Sequence, residues 1–290
     1  MNLPQPLIGA AALSERLSGR NEADRPVLID CSFDLSDPGA GERAWREGHL
    51  PGAHYLHLDR DLADHTPPAD GRSRGRHPLP SREAFAATLG RLGVTPATPV
   101  VVYDRQDAAF AARAWWMLRW LGHREVAVLD GGLTAWTAAG GALTSDLPPQ
   151  PQATAPYPIG EPLVPTVQAD VLLAGLGRVR LIDARAAERF RGEVEPLDPV
   201  AGHIPGALNR PYKHNLDAQG RFLDAAALRA AFEPLLGGRP ASEAVHQCGS
   251  GVTACHNLLA MEAAGLGGAA LYPGSWSEWC ADPLRPVARG

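Results

Sequence analysis

The 290-residue sequence predicts an α/β protein built as two tandem copies of one unit, each a mainly parallel sheet flanked by helices. Three observations lead there. A set of short segments recurs in the same order in the second half, a proline-crowded stretch separates the halves, and within each half short β-rich runs alternate with longer helical ones. The expected boundaries are 1–143 for a first copy, 144–165 for a linker and 166–290 for a second copy.

Taken in order, Val27-Leu28-Ile29-Asp30-Cys31 reads as a buried strand and recurs as Arg180-Leu181-Ile182-Asp183-Ala184. His49-Leu50-Pro51-Gly52-Ala53 recurs as His203-Ile204-Pro205-Gly206-Ala207. These histidines head a Pro-Gly turn in both copies, which predicts a structural duty for His49 and His203. Arg82 to Leu92 reads as a helix, Val100 to Tyr103 as a strand, Ala108 to Leu121 as a helix and Val126 to Leu129 as a strand. Val100-Val101-Val102-Tyr103-Asp104 matches Glu243-Ala244-Val245-His246-Gln247-Cys248. Asp130-Gly131-Gly132-Leu133 with Trp136 matches Pro273-Gly274-Ser275-Trp276 with Trp279, and the shared Trp136 and Trp279 position predicts core packing. Trp276 is read either as a pocket wall or as core. Between the copies, Pro148, Pro149, Pro151, Pro156, Pro158, Pro162 and Pro165 rule out a helix and predict an extended linker.

Composition narrows the function. With 45% hydrophobic and 20% charged residues the chain is an ordinary globular one, and no apolar run approaches the roughly 18 residues of a membrane span. A net charge of -5, with Lys213 the only lysine and no basic block, argues against nucleic acid as a partner. Cys31, Cys248, Cys255 and Cys280 are too few and scattered for a disulfide framework, so a reducing, cytoplasmic compartment is expected. Met1 to Gly19 does not read as a targeting peptide.

The chemistry-bearing stretch follows the strand ending at Gln247: Cys248-Gly249-Ser250-Gly251-Val252-Thr253, then a good helix from Ala254. A strand, a small-residue loop and a helix N-terminus turn successive N–H groups inward, an arrangement that stabilises an anion. A thiolate in such a nest is a nucleophile, and a persulfide anion gains the same stabilisation. Cys248 is therefore expected to take sulfur from a donor and release it to an acceptor thiol, which is covalent catalysis without a cofactor. Cys255, seven residues on along the helix, reads as packing, and Cys31 and Cys280 have no chemical context. His246, Cys248, Cys255 and His256 do not have the spacing of a zinc site, so no metal is expected.

Cys248 to Thr253, followed by Ala254 and Cys255, resembles the active loop of the rhodanese superfamily, in the form found in its 3-mercaptopyruvate sulfurtransferases. The repeat, the paired His-x-Pro-Gly-Ala segments and Gly274-Ser275-Trp276 extend the resemblance over nearly the whole chain. It implies two rhodanese-like domains, with only the second catalytic because Asp104 stands where Cys248 stands. It also implies transfer of sulfane sulfur to a thiol, thioredoxin or cyanide. Thiosulfate-using relatives carry basic residues just after the cysteine, where this chain has Gly249 and Ser250, which points to 3-mercaptopyruvate as donor. Arg189, within Asp183-Ala184-Arg185-Ala186-Ala187-Glu188-Arg189-Phe190-Arg191-Gly192, falls on the position of the arginine that binds the donor carboxylate, a planar fork suited to that group. Arg185 and Arg191 are its candidate assistants. Leu197 occupies the place where these enzymes usually carry a second arginine. Asp59 and His77 match positions of the first copy that work with the loop serine, giving a proton relay of Ser250, His77 and Asp59. The segment between Asp59 and His77, which includes Asp70-Gly71-Arg72-Ser73-Arg74-Gly75, is longer here than in the family.

Three rival readings remain at this stage. The donor is thiosulfate, or the chain is a non-catalytic sulfur-carrier or interaction module, or it is a cysteine phosphatase. The last requires an arginine six residues after the nucleophile, where this chain has Ala254.

Overall fold

The structure is a computed structural model, which describes residues 5–19, 25–149 and 155–290. Met1 to Pro4 and Pro151 lie outside the described residues. The chain forms two compact units: Met1–Ala63, Pro80–Leu163 and Ala218–Arg221 in the first, and Asp64–Leu79, Val164–Asp217 and Phe222–Gly290 in the second. The stretch Asp64–Leu79, read from the sequence as part of the first copy, thus packs with the second unit.

In the first unit five strands, β1 (Leu7–Ile8), β2 (Val27–Asp30), β3 (His54–Tyr55), β4 (Val100–Tyr103) and β5 (Val126–Leu129), form a parallel sheet in the order β1-β5-β4-β2-β3. Among the described residues six helices accompany them: α1 (Ala10–Ser18), α2 (Ala40–Glu47), α3 (Leu58–Asp61), α4 (Arg82–Arg91), α5 (Ala111–Trp120) and α6 (Gly132–Ala138). The second unit repeats the plan with β6 (Arg180–Asp183), β7 (Leu208–Asn209), β8 (Ala244–Gln247) and β9 (Ala270–Leu271) in the parallel order β7-β6-β8-β9. Its helices are α7 (Ala169–Gly175), α8 (Ala187–Arg191), α9 (Ala225–Leu236), α10 (Ala254–Ala263) and α11 (Ser275–Trp279). Strands buried on both faces explain the unbroken apolar runs of β4 and β5, every residue of which is buried.

Each unit has its own core. Leu28, Val101, Ala127 and Trp136 pack together in the first, and Leu181, Val245, Trp276 and Trp279 in the second. Both late tryptophans are core residues with satisfied indoles, Trp276 donating to Val200 O at 2.9 Å and Trp279 to Pro286 O at 2.8 Å. The repeated histidines do the same work twice. His49 stacks on Trp45 with its Nδ1 against Trp45 O at 2.7 Å, and His203 stacks on Phe190 with its Nδ1 against Phe190 O at 2.8 Å. Each also exchanges a pair of backbone hydrogen bonds with a later segment, His49 with Thr144 and His203 with Ala288. The described part of the proline-rich stretch is free of helix, and Tyr157, Gly160 and Leu163 hydrogen-bond onto Ala86, Leu121 and Arg119.

Candidate active site

The core of β8 dictates where the loop begins. This strand pairs with β6 on one side and β9 on the other, so the chain leaves the middle of the sheet at Cys248. It re-enters regular structure at Ala254, the start of α10, whose first turn is set by Cys255 N donating to Val252 O and His256 N to Thr253 O. Gly251 has φ +76, and an added Cβ would lie 2.2 Å from Pro273 O, so only glycine fits that bend. Cys255 is buried, with its thiol against Gly251 O at 3.4 Å.

The outer edge of the loop is tied to the first turn of α11. Cys248 N donates to Ser275 Oγ at 3.0 Å, Trp276 N to Cys248 O at 3.0 Å and Ser277 N to Gly249 O at 2.9 Å. Ser275 takes φ 53, a conformation rare for a side chain, and donates its own hydroxyl to Tyr272 O at 2.9 Å. Among the described residues, the N–H groups of Gly249, Ser250, Val252 and Thr253 donate to no protein acceptor. Cys248 is 1% exposed and Ser250 is 6% exposed.

Beside the loop runs a ladder of alternating charge. Arg185 grips Asp183 with Nε and Nη2, the latter at 2.7 Å, donates to Gly202 O at 2.7 Å, and lies over the Trp276 ring at 4.8 Å. Its Nη1 meets Glu195 at 3.4 Å. Glu195 takes Arg189 with both oxygens, at 3.2 and 2.6 Å, and Arg189 Nη2 also reaches Asp198 at 3.3 Å. The other oxygen of Asp198 accepts from Arg76 Nη1. Burial works against ionisation of Glu195, yet the Arg189 hydrogen bonds and the Leu197 and Asp198 amides hold its carboxyl below the usual range.

The two outermost arginines end at the loop. A Cβ added at Gly249 would lie 2.9 Å from Arg76 Nη2 and 3.4 Å from Arg189 Nη1. Neither of those nitrogens has a protein acceptor among the described residues. Arg76 is held by its own chain as well, since its N–H donates to Ser277 Oγ at 3.0 Å and Gly75 fits against Gly274 O where a Cβ would stand 2.5 Å away. The next residue, His77, is buried, with Nδ1 2.7 Å from Ser250 Oγ and its ring edge-on to His65.

The structure therefore brings together Cys248, Gly249, Ser250, Gly251, Val252, Thr253, His77 and Arg189 in the second unit. It takes Arg185 out of the role expected of it. Arg185 is 3% exposed with its donors taken by Asp183, Glu195 and Gly202, so it supports the ladder and does not face a ligand. Asp59 lies on α3 of the first unit, where its N–H donates to His57 Nδ1 at 3.1 Å. Arg191 pairs with Glu193 at the surface. Sequence reasoning missed Arg76, Glu195, Asp198, Ser275 and Ser277. Adjacency to His77 was the single available hint for Arg76.

Comparison with known proteins gives the family. The family profile described as "Rhodanese-like domain" matches residues 11–139 and again 168–282. A Pseudomonas aeruginosa protein named "Probable 3-mercaptopyruvate sulfurtransferase" is 49% identical over 98% of both chains. A Mycobacterium tuberculosis protein named "Putative thiosulfate sulfurtransferase SseB" is 45% identical over 99% of this chain and 98% of its own. The crystal structure of SseA from Escherichia coli, titled as a 3-mercaptopyruvate sulfotransferase, superposes with a TM-score of 0.75 at 33% identity, covering 94% of this chain and 99% of that one.

Proposed function

Because the chain belongs to the rhodanese family through both of its copies, we propose that it is a sulfurtransferase that moves the sulfur of 3-mercaptopyruvate by way of a persulfide on Cys248. The observation that carries the donor is the pair of guanidinium nitrogens, Arg76 Nη2 and Arg189 Nη1, converging on Gly249 next to the nucleophile. Two planar cations side by side suit a carboxylate one short carbon chain away from the reacting sulfur. Arg76 fills the need for a second cation that Leu197 leaves unmet. The arginine side chains are 28% and 18% exposed, and Cys248 is 1% exposed.

In the first half-reaction the Cys248 thiolate forms an S–S bond to the donor sulfur while the donor C–S bond breaks. The bonding pair leaves on carbon as the enolate of pyruvate, which then takes a proton. Ser250 Oγ, hydrogen-bonded to His77, is the group able to polarise the donor carbonyl and pass that proton. The unengaged amides of the loop stabilise the sulfur anion before and after transfer. In the second half-reaction an acceptor thiolate attacks the outer sulfur, a new S–S bond forms on the acceptor and Cys248 leaves as thiolate. Thioredoxin, a small thiol and cyanide all fit this step, cyanide leaving as thiocyanate. Four free cysteines accord with a reducing cytoplasmic setting. Among the described residues no helix is long and apolar enough to cross a membrane.

The test is steady-state kcat/KM with 3-mercaptopyruvate and with thiosulfate, together with the intact mass of the protein after each donor. Preference for 3-mercaptopyruvate and a gain of one sulfur lost in Cys248→Ser are expected. Preference for thiosulfate transfers the assignment to the other donor, and no gain with either removes it.

A further inference from the structure

Asp198 stands between two arginines that both serve the loop. Its side chain is 3% exposed, one oxygen accepts from Arg76 Nη1 and the other from Arg189 Nη2. Nothing in the local sequence requires a carboxylate here, and a buried charge is costly unless it serves a partner. A single group that holds two guanidiniums fixes the spacing of the nitrogens they present to Gly249. It also sets the charge that a ligand meets. Arg76, Arg189 and Arg185 are balanced by Asp198, Glu195 and Asp183, so the ladder is neutral as a whole and offers directed N–H groups without excess positive charge.

A neutral anchor favours one kind of anion. The cost of removing an ion from water grows with the square of its charge, so a dianion pays about four times the penalty of a monoanion on entering the site. Without net positive charge to offset it, the dianion is rejected, while a monocarboxylate is satisfied by the two open nitrogens. We infer that Asp198 is a positioning residue that sets donor selectivity, placing both carboxylate-binding arginines and cancelling the charge that would otherwise admit a dianionic donor such as thiosulfate. This rests on the reading of the site given above.

Removing that one negative charge helps a dianion twice as much as a monoanion. At the effective dielectric of a half-buried site the extra interaction is worth about tenfold in kcat/KM after solvent screening. The experiment compares wild type, Asp198→Asn and Asp198→Glu with both donors, after intact mass has established that the wild type forms its persulfide. The ratio of kcat/KM for thiosulfate to that for 3-mercaptopyruvate is expected to rise about tenfold in Asp198→Asn. It should stay within about twofold of wild type in Asp198→Glu, which keeps the charge. A general loss of folding would lower both donors together and leave the ratio alone. An unmoved ratio in Asp198→Asn overturns the inference even if activity falls. Should Asp198→Asn fail to fold, competition in the wild type decides: pyruvate is expected to inhibit at lower concentration than sulfate, and the reverse order overturns the inference. A wild type that forms no persulfide sinks the sulfurtransferase reading itself, an outcome separate from a persulfide-forming enzyme with an unmoved ratio.

Discussion

The loop after β4 and the loop after β8 occupy the same place in two copies of one sheet, and they handle negative charge in opposite ways. In the first copy Asp104 fills its own nest: Oδ1 accepts from Gln106 N and Ala108 N, both at 2.9 Å, and Oδ2 from Phe110 N and Ala111 N, both at 2.8 Å. Burial pushes the Asp104 carboxyl up, and those four amides pull it back. The grip also holds Asp107 and Ala108 at φ 58 and 62, a costly pair for residues with side chains. In the second copy Cys248 replaces the aspartate and the loop amides keep no internal anion. The strand before each loop differs in the same sense. Asp30 Oδ1 accepts the Ser32 amide and its Oδ2 is buried without a geometric hydrogen bond among the described residues, whereas Asp183 is gripped by Arg185 and starts the charge ladder. A backbone that binds an anion tightly becomes a reaction site when the chain stops supplying that anion itself.

The most severe way to break the comparison is Cys248→Ser, which keeps the loop but removes the sulfur nucleophile. Turnover is expected to fall by roughly a thousandfold or more, with no mass gain after donor treatment. Next is Asp104→Ala, which strands four amides and releases two left-handed residues. Chemical denaturation should register a loss of about 4 kcal/mol or more, while Cys248 still gains sulfur. A stable Asp104→Ala protein would mean the carboxylate does not organise its loop.

A third test exchanges equivalent strand residues. Val102 pairs with Ile29 and His246 with Ile182, so the two occupy matching registers. Burial depresses the His246 pKa to about 3. The unfolded chain, with an ordinary imidazole, binds the proton first as pH falls. Stability is therefore full above about pH 6.5 and is lost on acidification towards pH 3, at about 1.4 kcal/mol per pH unit. His246→Val should flatten that acid limb, by about 3 kcal/mol between pH 7 and pH 4, after a fixed cavity cost of about 1–3 kcal/mol at neutral pH. An acid limb of unchanged slope would assign the sensitivity elsewhere. The smallest effect is expected for Ser250→Ala, about a hundredfold in kcat with 3-mercaptopyruvate and less with thiosulfate, which has no carbonyl to polarise. Equal losses with both donors would remove Ser250 and His77 from proton transfer.

What the sequence could reveal follows from the range of each interaction. The repeat was legible because strand, turn and loop segments are each encoded within a few residues, and the loop could be read as an anion nest for the same reason. Arg82–Arg91 and Ala111–Trp120 match the expected helices within a turn. Long-range pairing was illegible. Arg76 lies in a polar stretch without a counterpart in the other copy, and its ion pair reaches Asp198 across more than a hundred residues. Arg185 and Arg189 look alike in sequence, yet Asp183 takes one into the interior while the other keeps a nitrogen at Gly249. Trp276 gave no sign of which reading was right until its indole was seen bound to Val200 O.

The excursion of Asp64–Leu79 out of its own copy has a consequence for how such a chain can evolve. A duplicated gene ordinarily yields two beads that recombination can shuffle, lose or pair with new neighbours. Here a gene cut at the proline-rich joint would leave the nucleophile on one product, and the imidazole with one of the anchoring cations on the other. Under the proposed mechanism both halves are inherited together, because each sulfur transfer uses amino acids encoded on either side of that joint.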